Sequence, residues 1–529
     1  MRIGTACHVN KASAVALWLR VSSRQFSSAS RALGLALLLA GLCATSTQAG
    51  VKLHALFADH MVLQQELSVP VWGWADEGET ITVQFGGQKQ TATTRDGKWM
   101  VWLDPLKAGG PFKLVVSGKN RIELRDVLVG EVWICSGQSN MEWPLSRSFQ
   151  SKEDIAKSAN KRIRLFTVPK LKAPAPASDV ASVWQECKPE NTTNFSAVGY
   201  YFGRALERAR KVPIGLIHTS WGGSPAEVWM SASALAADPE YQRDIVNASA
   251  AAWEDYLKAK AAAEAQGKPA PRGPWRPSEL YNGMIAPLLP YAIRGAIWYQ
   301  GESNAGQAYQ YRKLFADMIR NWRCDWAQGD FTFLAVQLAP WDRNRKRTLE
   351  QITEKPVESD WAELREAQCI VSKVLPRVGV AVITDVGDKD DIHPTKKVPV
   401  GERLALAARS IAYGERITGL SPSYESVQFI GSQAILTFSN PGKGLVAQGG
   451  PLKGFAIAGA DRQFHWADAR IERNRVIVSS RLVARPTAVR YGWDDFPVVN
   501  LANKEGLPAS PFRTDSFPMV TGPKPQPGK

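Results

Sequence analysis

Four short stretches of the chain combine a serine, paired glycines, side-chain amides and an acid-rich segment before a histidine. These are the groups that acyl transfer to a serine requires. A serine nucleophile needs a general base within hydrogen-bond reach, a carboxylate that orients the base, and donors for the developing oxyanion. Ser139 is the candidate nucleophile and His393 the candidate base. Asp390 and Asp391 lie shortly before His393, so one tight turn can carry both the base and its orienting acid.

The candidate oxyanion donors come from three of these stretches. They are the N–H of Ser139, the N–H of Gly222 or Gly223, and the side-chain amide of Gln300 or Asn304. Glycine suits such a position because it lets the backbone approach a ligand closely. Each stretch alone also reads as a turn, a helix cap or a solvated loop. The hypothesis therefore depends on all four stretches meeting at one place.

The elements around these stretches predict such a meeting point. Between residues 128 and 415, apolar runs typical of buried strands alternate with amphipathic helical patterns. This alternation predicts a parallel sheet covered by helices on both faces. Each of the four stretches follows a predicted strand, and ligands of open α/β sheets bind beyond the carboxyl ends of the strands. An Ala- and Lys-rich segment near 246–280 is predicted to be a helical insertion, either on the surface or over the mouth of the site.

The flanking regions have different patterns. Short alternating runs punctuated by Gly, Asp and Asn predict an N-terminal β-sandwich-like domain over 50–127 and a C-terminal β domain over 416–518. Residues 1–49 combine basic residues, an apolar run and small residues, as a signal peptide does, and residues 519–529 are predicted to be a disordered tail. No other apolar run is long enough to span a bilayer. We therefore expect a periplasmic or secreted protein.

Composition narrows the classes of partner. The 529 residues carry a formal net charge of +15, but no arginine-rich arm or nucleic-acid motif is present, so no nucleic-acid partner is expected. A basic surface mildly favours acidic substrates. Past the signal segment the cysteines are Cys135, Cys187, Cys324 and Cys369, whose spacing matches no metal site. Disulfides are possible in an exported chain, and a buried free thiol is an equally good interpretation of Cys135.

The type of serine site can be narrowed further. An α/β-hydrolase elbow has glycine two residues after the serine, whereas this chain has Met141. The stretches "WICSGQSNMEWP", "TSWGGSPAEVWMS", "WYQGESNA" and "DIHPTKK" together resemble the SGNH (GDSL-like) hydrolases, and among them the sialate O-acetylesterase family. "NKEGLPASPFRTD" near the end is also similar to that family. The resemblance runs from about Leu53 to Asp515.

The resemblance implies a three-layer SGNH-type (flavodoxin-like) α/β core with flanking β-sandwich-like domains, and no metal or cofactor. It implies Ser139 as nucleophile and His393 as base. The family's second block, here "TSWGGSPAEVWMS", maps to Gly222–Gly223, and its third block is the stretch "WYQGESNA". The third block departs from the usual pattern, which leaves Gln300 as the favoured oxyanion donor, Asn304 as the second choice, and Glu302 as an orienting residue or triad acid. The usual spacing before the histidine favours Asp390, and the "DIHP" form favours Asp391.

The function implied is removal of O-acetyl groups from carbohydrates, with acetylated sialic acid as the first substrate and acetate as a product. The same chemistry on acetylated xylan or another plant glycan is the second interpretation. A non-catalytic glycan-binding protein on a hydrolase scaffold is the third. The apparently complete set of serine, histidine and acid speaks against the third.

Overall fold

The computed structural model describes residues 50–343 and 346–523. The predicted signal peptide, residues 1–49, lies outside the described residues, as do residues 524–529 of the predicted tail. The described part is α/β, with a large mixed sheet and with β-rich regions before and after it in the chain. The sequence predicts this general class.

The N-terminal region forms two small β layers around a shared core, antiparallel except where its second strand pairs in parallel with the long strand that follows them. Its strands are β1 (Lys52–Leu53), β2 (Val62–Gln64), β3 (Val69–Trp74), β4 (Thr80–Phe85), β5 (Gln88–Thr93), β6 (Lys98–Leu103) and β7 (Gly109–Ser117). Strands β1, β3 and β6 form one sheet, while β4, β5 and β7 form the other with the first half of β8 (Arg121–Gly137). Trp72, Val83 and Val101 are buried between them.

Strand β8 continues without a break through the predicted boundary between residues 127 and 128. Its second half lies in the middle of the large parallel sheet. The other strands of that sheet are β9 (Asn160–Thr167), β10 (Gln185–Cys187), β11 (Ile214–Ser220), β12 (Gly295–Tyr299), β13 (Thr332–Val336) and β14 (Val378–Ala381). The order is β10-β9-β11-β8-β12-β13-β14, with β10 antiparallel at one edge and the rest parallel.

Helices cover both faces of this sheet. The helices of the described part are α1 (Ser139–Glu142), α2 (Ser151–Ala156), α3 (Pro189–Thr192), α4 (Ala197–Arg210), α5 (Ala232–Ala236), α6 (Pro239–Tyr241), α7 (Ala248–Ala265), α8 (Ala308–Trp326), α9 (Leu349–Glu354), α10 (Asp360–Val374) and α11 (Val398–Ile411). Trp133 and Cys135 of β8 point into a core with α4 and α11. Val132 and Ile134 point into the opposite core, which α8 and α10 complete. This alternation follows from the two-residue repeat of a strand buried on both sides.

Short 3₁₀ and π turns connect these elements: Leu145–Arg147, Ala226–Trp229, Gln242–Asn247, Tyr281–Ile285, Ala286–Leu288 and Glu302–Gln307. No helix among the described residues is long and apolar enough to cross a membrane. Cys135, Cys187 and Cys369 are free thiols, and burial raises the pKa of each.

The C-terminal region is a separate β core. Its strands are β15 (Ser423–Ile430), β16 (Gln433–Ser439), β17 (Leu445–Ala447), β18 (Phe455–Ala458), β19 (His465–Trp466), β20 (Asp468–Glu472), β21 (Arg475–Ser479), β22 (Ala488–Tyr491), β23 (Leu501–Asn503) and β24 (Phe512–Arg513). They form sheets in the orders β15-β16-β21-β20, β19-β18-β22-β24 and β17-β23. Leu436, Val478 and Tyr491 are buried in the shared core.

The first residues of the predicted disordered tail are held against helix α10. The backbone N–H of Val520 and the hydroxyl of Thr521 both donate to the carboxylate of Glu363 on α10, each at 2.6 Å. Met519 packs on the core beside them. The chain is therefore ordered beyond residue 518, because a buried carboxylate on α10 takes its hydrogen bonds from this segment.

Candidate active site

The carboxyl ends of three neighbouring strands meet at one place. Gly137 at the end of β8 lies in register with Ser220 at the end of β11 and with Tyr299 at the end of β12. Gly137 has φ +137, and a Cβ there would lie 2.2 Å from the carbonyl oxygen of Tyr299. Only glycine allows the chain to turn this close to the next strand. Three of the four predicted stretches therefore start side by side.

The turn after Gly137 presents Ser139 at the start of α1, and the loop after β14 crosses the sheet edge to bring His393 to it. Ser139 Oγ lies 2.8 Å from His393 Nε2. With the imidazole proton on Nδ1, the hydroxyl donates to Nε2, which is the geometry that a general base needs. The structure thus brings together the two residues that the sequence puts forward as nucleophile and base.

Asp391, not Asp390, is the acid at the imidazole. Asp391 Oδ1 lies 3.5 Å from His393 Nδ1, at the outer limit of a hydrogen bond, and accepts from the backbone N–H of His393 at 2.8 Å. Asp390 points to solvent with its side chain 73% exposed and pairs with Lys389 Nζ at 2.5 Å. The general spacing that favours Asp390 is misleading here because the Asp391 carboxylate folds back onto the same turn.

His393 also stacks on an indole. The rings of His393 and Trp143 are 5.2 Å apart with an interplanar angle of 18°. Partial burial lowers the pKa of His393, the charge of Asp391 raises it, and the charges of Lys397 and Arg147 lower it further. The net direction is downward, so the imidazole stays neutral, and able to accept a proton, below its ordinary pKa.

The second glycine block lies against the nucleophile. A Cβ on Gly222 would lie 3.2 Å from Ser139 Cβ, so a larger residue would crowd the serine. The Gly222 N–H donates to Glu142 Oε2 at 2.6 Å, and Glu142 Oε1 in turn accepts from Lys170 at 2.5 Å. Gly223 is exposed with φ +75. Within the described residues, the Ser139 N–H has no hydrogen-bond partner, whereas the Gly222 N–H is held by a carboxylate.

Gln300 and Asn304 do not point their amides at the reaction site. Gln300 is fully buried and donates to Asn304 Oδ1 at 2.6 Å and to the Ser224 carbonyl at 3.3 Å. Asn304 accepts from the Ala226 N–H at 2.9 Å and donates to Glu227 at 3.0 Å. Their predicted role as oxyanion donors is therefore not what this geometry offers. The hydrogen bonds of both amides brace the segment that follows Gly222 and Gly223.

Among the described residues, Glu302 makes no hydrogen bond to His393, although its side chain is half-buried near the site. Its Oε1 accepts from Asn140 Nδ2 at 2.6 Å, so the contact it makes is with the neighbour of the nucleophile and not with the imidazole. Asn140 Nδ2 also donates to the carbonyl of Ile392 at 3.0 Å. Burial raises the pKa of the Glu302 carboxyl, and the hydrogen bond from Asn140 opposes that rise. Of the two roles considered for Glu302, the geometry favours orienting a neighbour over acting as triad acid.

Lys397, the last residue of the "DIHPTKK" stretch, completes this buried chain. Its ammonium group donates to Asn140 Oδ1 at 2.5 Å, and the residue is only 1% exposed. Burial lowers the pKa of Lys397 to about 7, against the charges of Glu302 and Asp391. Asn140, next to the nucleophile in the chain, is thus bonded to the residue before His393. Its amide oxygen accepts from Lys397, and its amide nitrogen donates to Glu302. Asn140 and Lys397 lie inside the stretches "WICSGQSNMEWP" and "DIHPTKK", but the sequence alone assigns neither of them a role.

The predicted insertion divides into two parts. Helix α7 has no buried residue and projects from the surface. Trp275, further along, packs edge-on against Trp221 with ring centroids 5.6 Å apart, and Trp221 directly precedes Gly222. Lys172 lies 3.9 Å above the Trp275 ring. The end of the insertion therefore lies at the side of the site, while its helix does not.

Comparisons with known proteins show which family the chain is similar to. The family described as "Carbohydrate esterase, sialic acid-specific acetylesterase" matches residues 129–269 and 265–409, which contain Ser139, Gly222, Gln300 and His393. The sialate O-acetylesterase of Mus musculus is 30% identical over 90% of this chain and 97% of its own length. That of Homo sapiens is 29% identical over 91% of this chain and 95% of its own length.

A solved structure is similar over most of the chain. The crystal structure of a novel carbohydrate acetylesterase from Xanthomonas citri has a TM-score of 0.77 and 40% sequence identity, covering 88% of this chain and all of that one.

Proposed function

Because the chain belongs to the sialic acid-specific acetylesterase family of carbohydrate esterases, we propose that it hydrolyses O-acetyl esters of sialic acid to the free sugar and acetate. The observation that carries the proposal is the 2.8 Å contact between Ser139 Oγ and His393 Nε2 at the meeting point of three strands. The relatives from mouse and human, both named sialate O-acetylesterase, support the choice of sugar.

In the first step, Ser139 Oγ attacks the acetyl carbonyl and its proton moves to His393 Nε2. The bond between the carbonyl carbon and the sugar oxygen then breaks, and His393 returns the proton to that oxygen. The Asp391 carboxylate stabilises the transient imidazolium. In the second step, His393 takes a proton from water, the hydroxide attacks the acetyl-enzyme, and Ser139 leaves with the proton.

The oxyanion needs donors in both steps, and the described geometry offers two. The Ser139 N–H is unpaired within the described residues, and the Gly222 N–H lies beside it. Glu142 now accepts from Gly222, so its carboxylate must turn toward Lys170 as the oxyanion forms. Gln300 and Asn304 act behind this loop, where they keep Gly222 in place.

We further propose that the core is of the three-layer SGNH type. The strand order β11-β8-β12-β13-β14 supports this, because β8, the earliest of these strands in the chain, lies inside the sheet. The helices on both faces of the sheet also support it. Export to the periplasm or the outside remains a proposal that residues 1–49 support by composition alone.

Acetate release by the purified protein tests the function. Equal concentrations of O-acetylated sialic acid and acetylated xylo-oligosaccharide are offered to the wild type, to Ser139→Ala and to Ser303→Ala. Ser303 is an exposed serine of the third motif, so it controls for nonspecific effects. We expect preference for the sialic acid, no turnover by Ser139→Ala and near-normal turnover by Ser303→Ala. Preference for the xylan fragment would leave the esterase mechanism intact and contradict sialic acid as the substrate.

A further inference from the structure

Among the described residues, two cations beside Trp143 have no carboxylate partner: Lys397, which is buried and donates to Asn140, and Arg147, which is exposed. Arg147 ends the 3₁₀ turn Leu145–Arg147 and is exposed, and within the described residues no carboxylate lies within 4.0 Å of its guanidinium group. Two exposed lysines, Lys170 and Lys172, differ from Arg147 because each pairs with a carboxylate. Lys170 pairs with Glu142 at 2.5 Å, and Lys172 pairs with Glu279 at 2.8 Å.

Arg147 is held in position by the indole that also carries the catalytic imidazole. Its guanidinium carbon lies 3.9 Å from the centroid of the Trp143 ring, close enough for a cation–π contact. Trp143 is 7% exposed and stacks on His393. The indole is fixed by its burial, so the guanidinium fork is preorganised beside the reacting residues while its donors remain accessible to a ligand.

The charge of Arg147 reaches the reaction centre. It is among the causes that lower the pKa of His393, together with burial and the charge of Lys397, whereas Asp391 raises that pKa. Because both side chains stack on Trp143, Arg147 also lies near His393 in space. A planar guanidinium pairs with a carboxylate through two parallel hydrogen bonds, and an unpaired one at the mouth of a site is suited to an acidic ligand.

We propose that Arg147 binds the carboxylate of the sugar acid, so that the Arg147–Trp143 pair is the subsite that selects an anionic acetylated sugar over a neutral one. This inference rests on the proposed function. The carboxylate of the sugar would pair with the guanidinium group, while the buried indole holds that group in place. Orientation by the carboxylate then places one acetyl ester at Ser139.

The test compares two substrates that differ only in this charge. Acetate release is measured with O-acetylated sialic acid and with its methyl ester, using wild type, Arg147→Met, Arg147→Lys and Arg147→Glu. We expect the wild-type preference for the acid, expressed as a ratio of kcat/KM values, to fall by about 10- to 100-fold in Arg147→Met, mainly through KM. Arg147→Lys should retain part of the preference and Arg147→Glu should reverse it.

Lys172→Met is the matched control, since it removes a cation from the same side of the molecule that already has a protein partner. Its ratio should remain at the wild-type value. A second readout is the acid limb of the kcat/KM profile, which should move to higher pH in Arg147→Met because a charge that lowers the pKa of His393 is lost.

The outcomes separate the two claims. An unchanged substrate ratio in Arg147→Met, with an active wild type, would overturn the carboxylate subsite and leave the esterase function standing. A wild type that releases acetate from neither sialic substrate would overturn the proposed function and this inference together.

Discussion

The side chain of Asn140 accepts a hydrogen bond from the buried ammonium group of Lys397 at 2.5 Å. The same amide donates to Glu302 and to the carbonyl of Ile392, the residue before His393. Since Asn140 follows Ser139 in the chain, one side chain fixes the separation of the nucleophile and base segments. The catalytic pair therefore depends on a buried polar chain beneath it as much as on its own hydrogen bond.

Removing this amide should loosen the pair. In Asn140→Ala, Lys397 and Glu302 lose a buried partner, so we expect about 1–3 kcal/mol lower free energy of unfolding and a fall in kcat of about tenfold or more. The control is Asn321→Ala on α8, which removes a buried amide that donates hydrogen bonds to Asp325 and to Ser231. It should lose similar stability in denaturant unfolding without a matching loss of kcat. Equal kcat losses in the two variants would contradict a specific role for Asn140 in holding Ser139 and His393 together.

Lys397 should influence the pH profile of the reaction. Its charge is among the causes that lower the pKa of His393, so Lys397→Met should raise that pKa and move the acid limb of kcat/KM to higher pH. Lys396→Met is the matched control, because Lys396 is exposed and adjacent. A profile that shifts equally in both variants would show that the effect comes from general surface charge.

The wild-type profile itself has a predicted sign. Neutral His393 is the active form, and its pKa lies below the ordinary 6.5, so activity should persist below pH 6.5 before it falls. An acid limb centred above pH 6.5 in kcat/KM measurements would contradict the environment described for the imidazole.

The two aspartates before His393 should behave differently. Asp391→Asn should lower kcat by at least about tenfold through loss of the orienting charge. It should also move the acid limb to lower pH, because Asp391 raises the pKa of His393. Asp390→Asn should change neither quantity by more than about twofold, since Asp390 pairs with Lys389 at the surface. Greater damage from Asp390→Asn would reverse the assignment.

Asn304 provides a test of the oxyanion donors. If it braces the loop after Gly222, Asn304→Ala should lower the free energy of unfolding by about 1–3 kcal/mol, because it leaves the Ala226 N–H and Gln300 amide without their buried acceptor. Thermal unfolding and kcat should fall together. A variant with normal stability and a kcat loss of about 10²-fold would instead make Asn304 the donor that the sequence suggests.

The sequence predicts much of this site because its information is local. Strands read from apolar runs place Ser139, Gly222 and Gln300 at one sheet edge, and the structure puts the ends of their strands in register. The α/β class with flanking β regions follows from the same periodicities. A resemblance carried by several motifs adds the choice of nucleophile and base.

What could not be predicted depends on side-chain direction and burial. Lys397 follows an exposed lysine and carries no sign that it turns inward to Asn140. Asp390 and Asp391 differ only in which way one turn folds. Gln300 has the right residue type for an oxyanion donor, but its amide is used by Asn304 and Ser224. These outcomes are set by tertiary packing, for which a single sequence gives no period or spacing.

The most direct test of the central claim is to trap the acetyl-enzyme. O-Acetylated sialic acid is mixed with the enzyme, the reaction is quenched with acid within the first turnover, and the peptide containing Ser139 is analysed by mass spectrometry. The mechanism predicts one acetyl group on Ser139 in the wild type and none in Ser139→Ala, with acetate release lost in the same variant. Acetate release by the wild type with no acetyl on Ser139, and retained by Ser139→Ala, would contradict it.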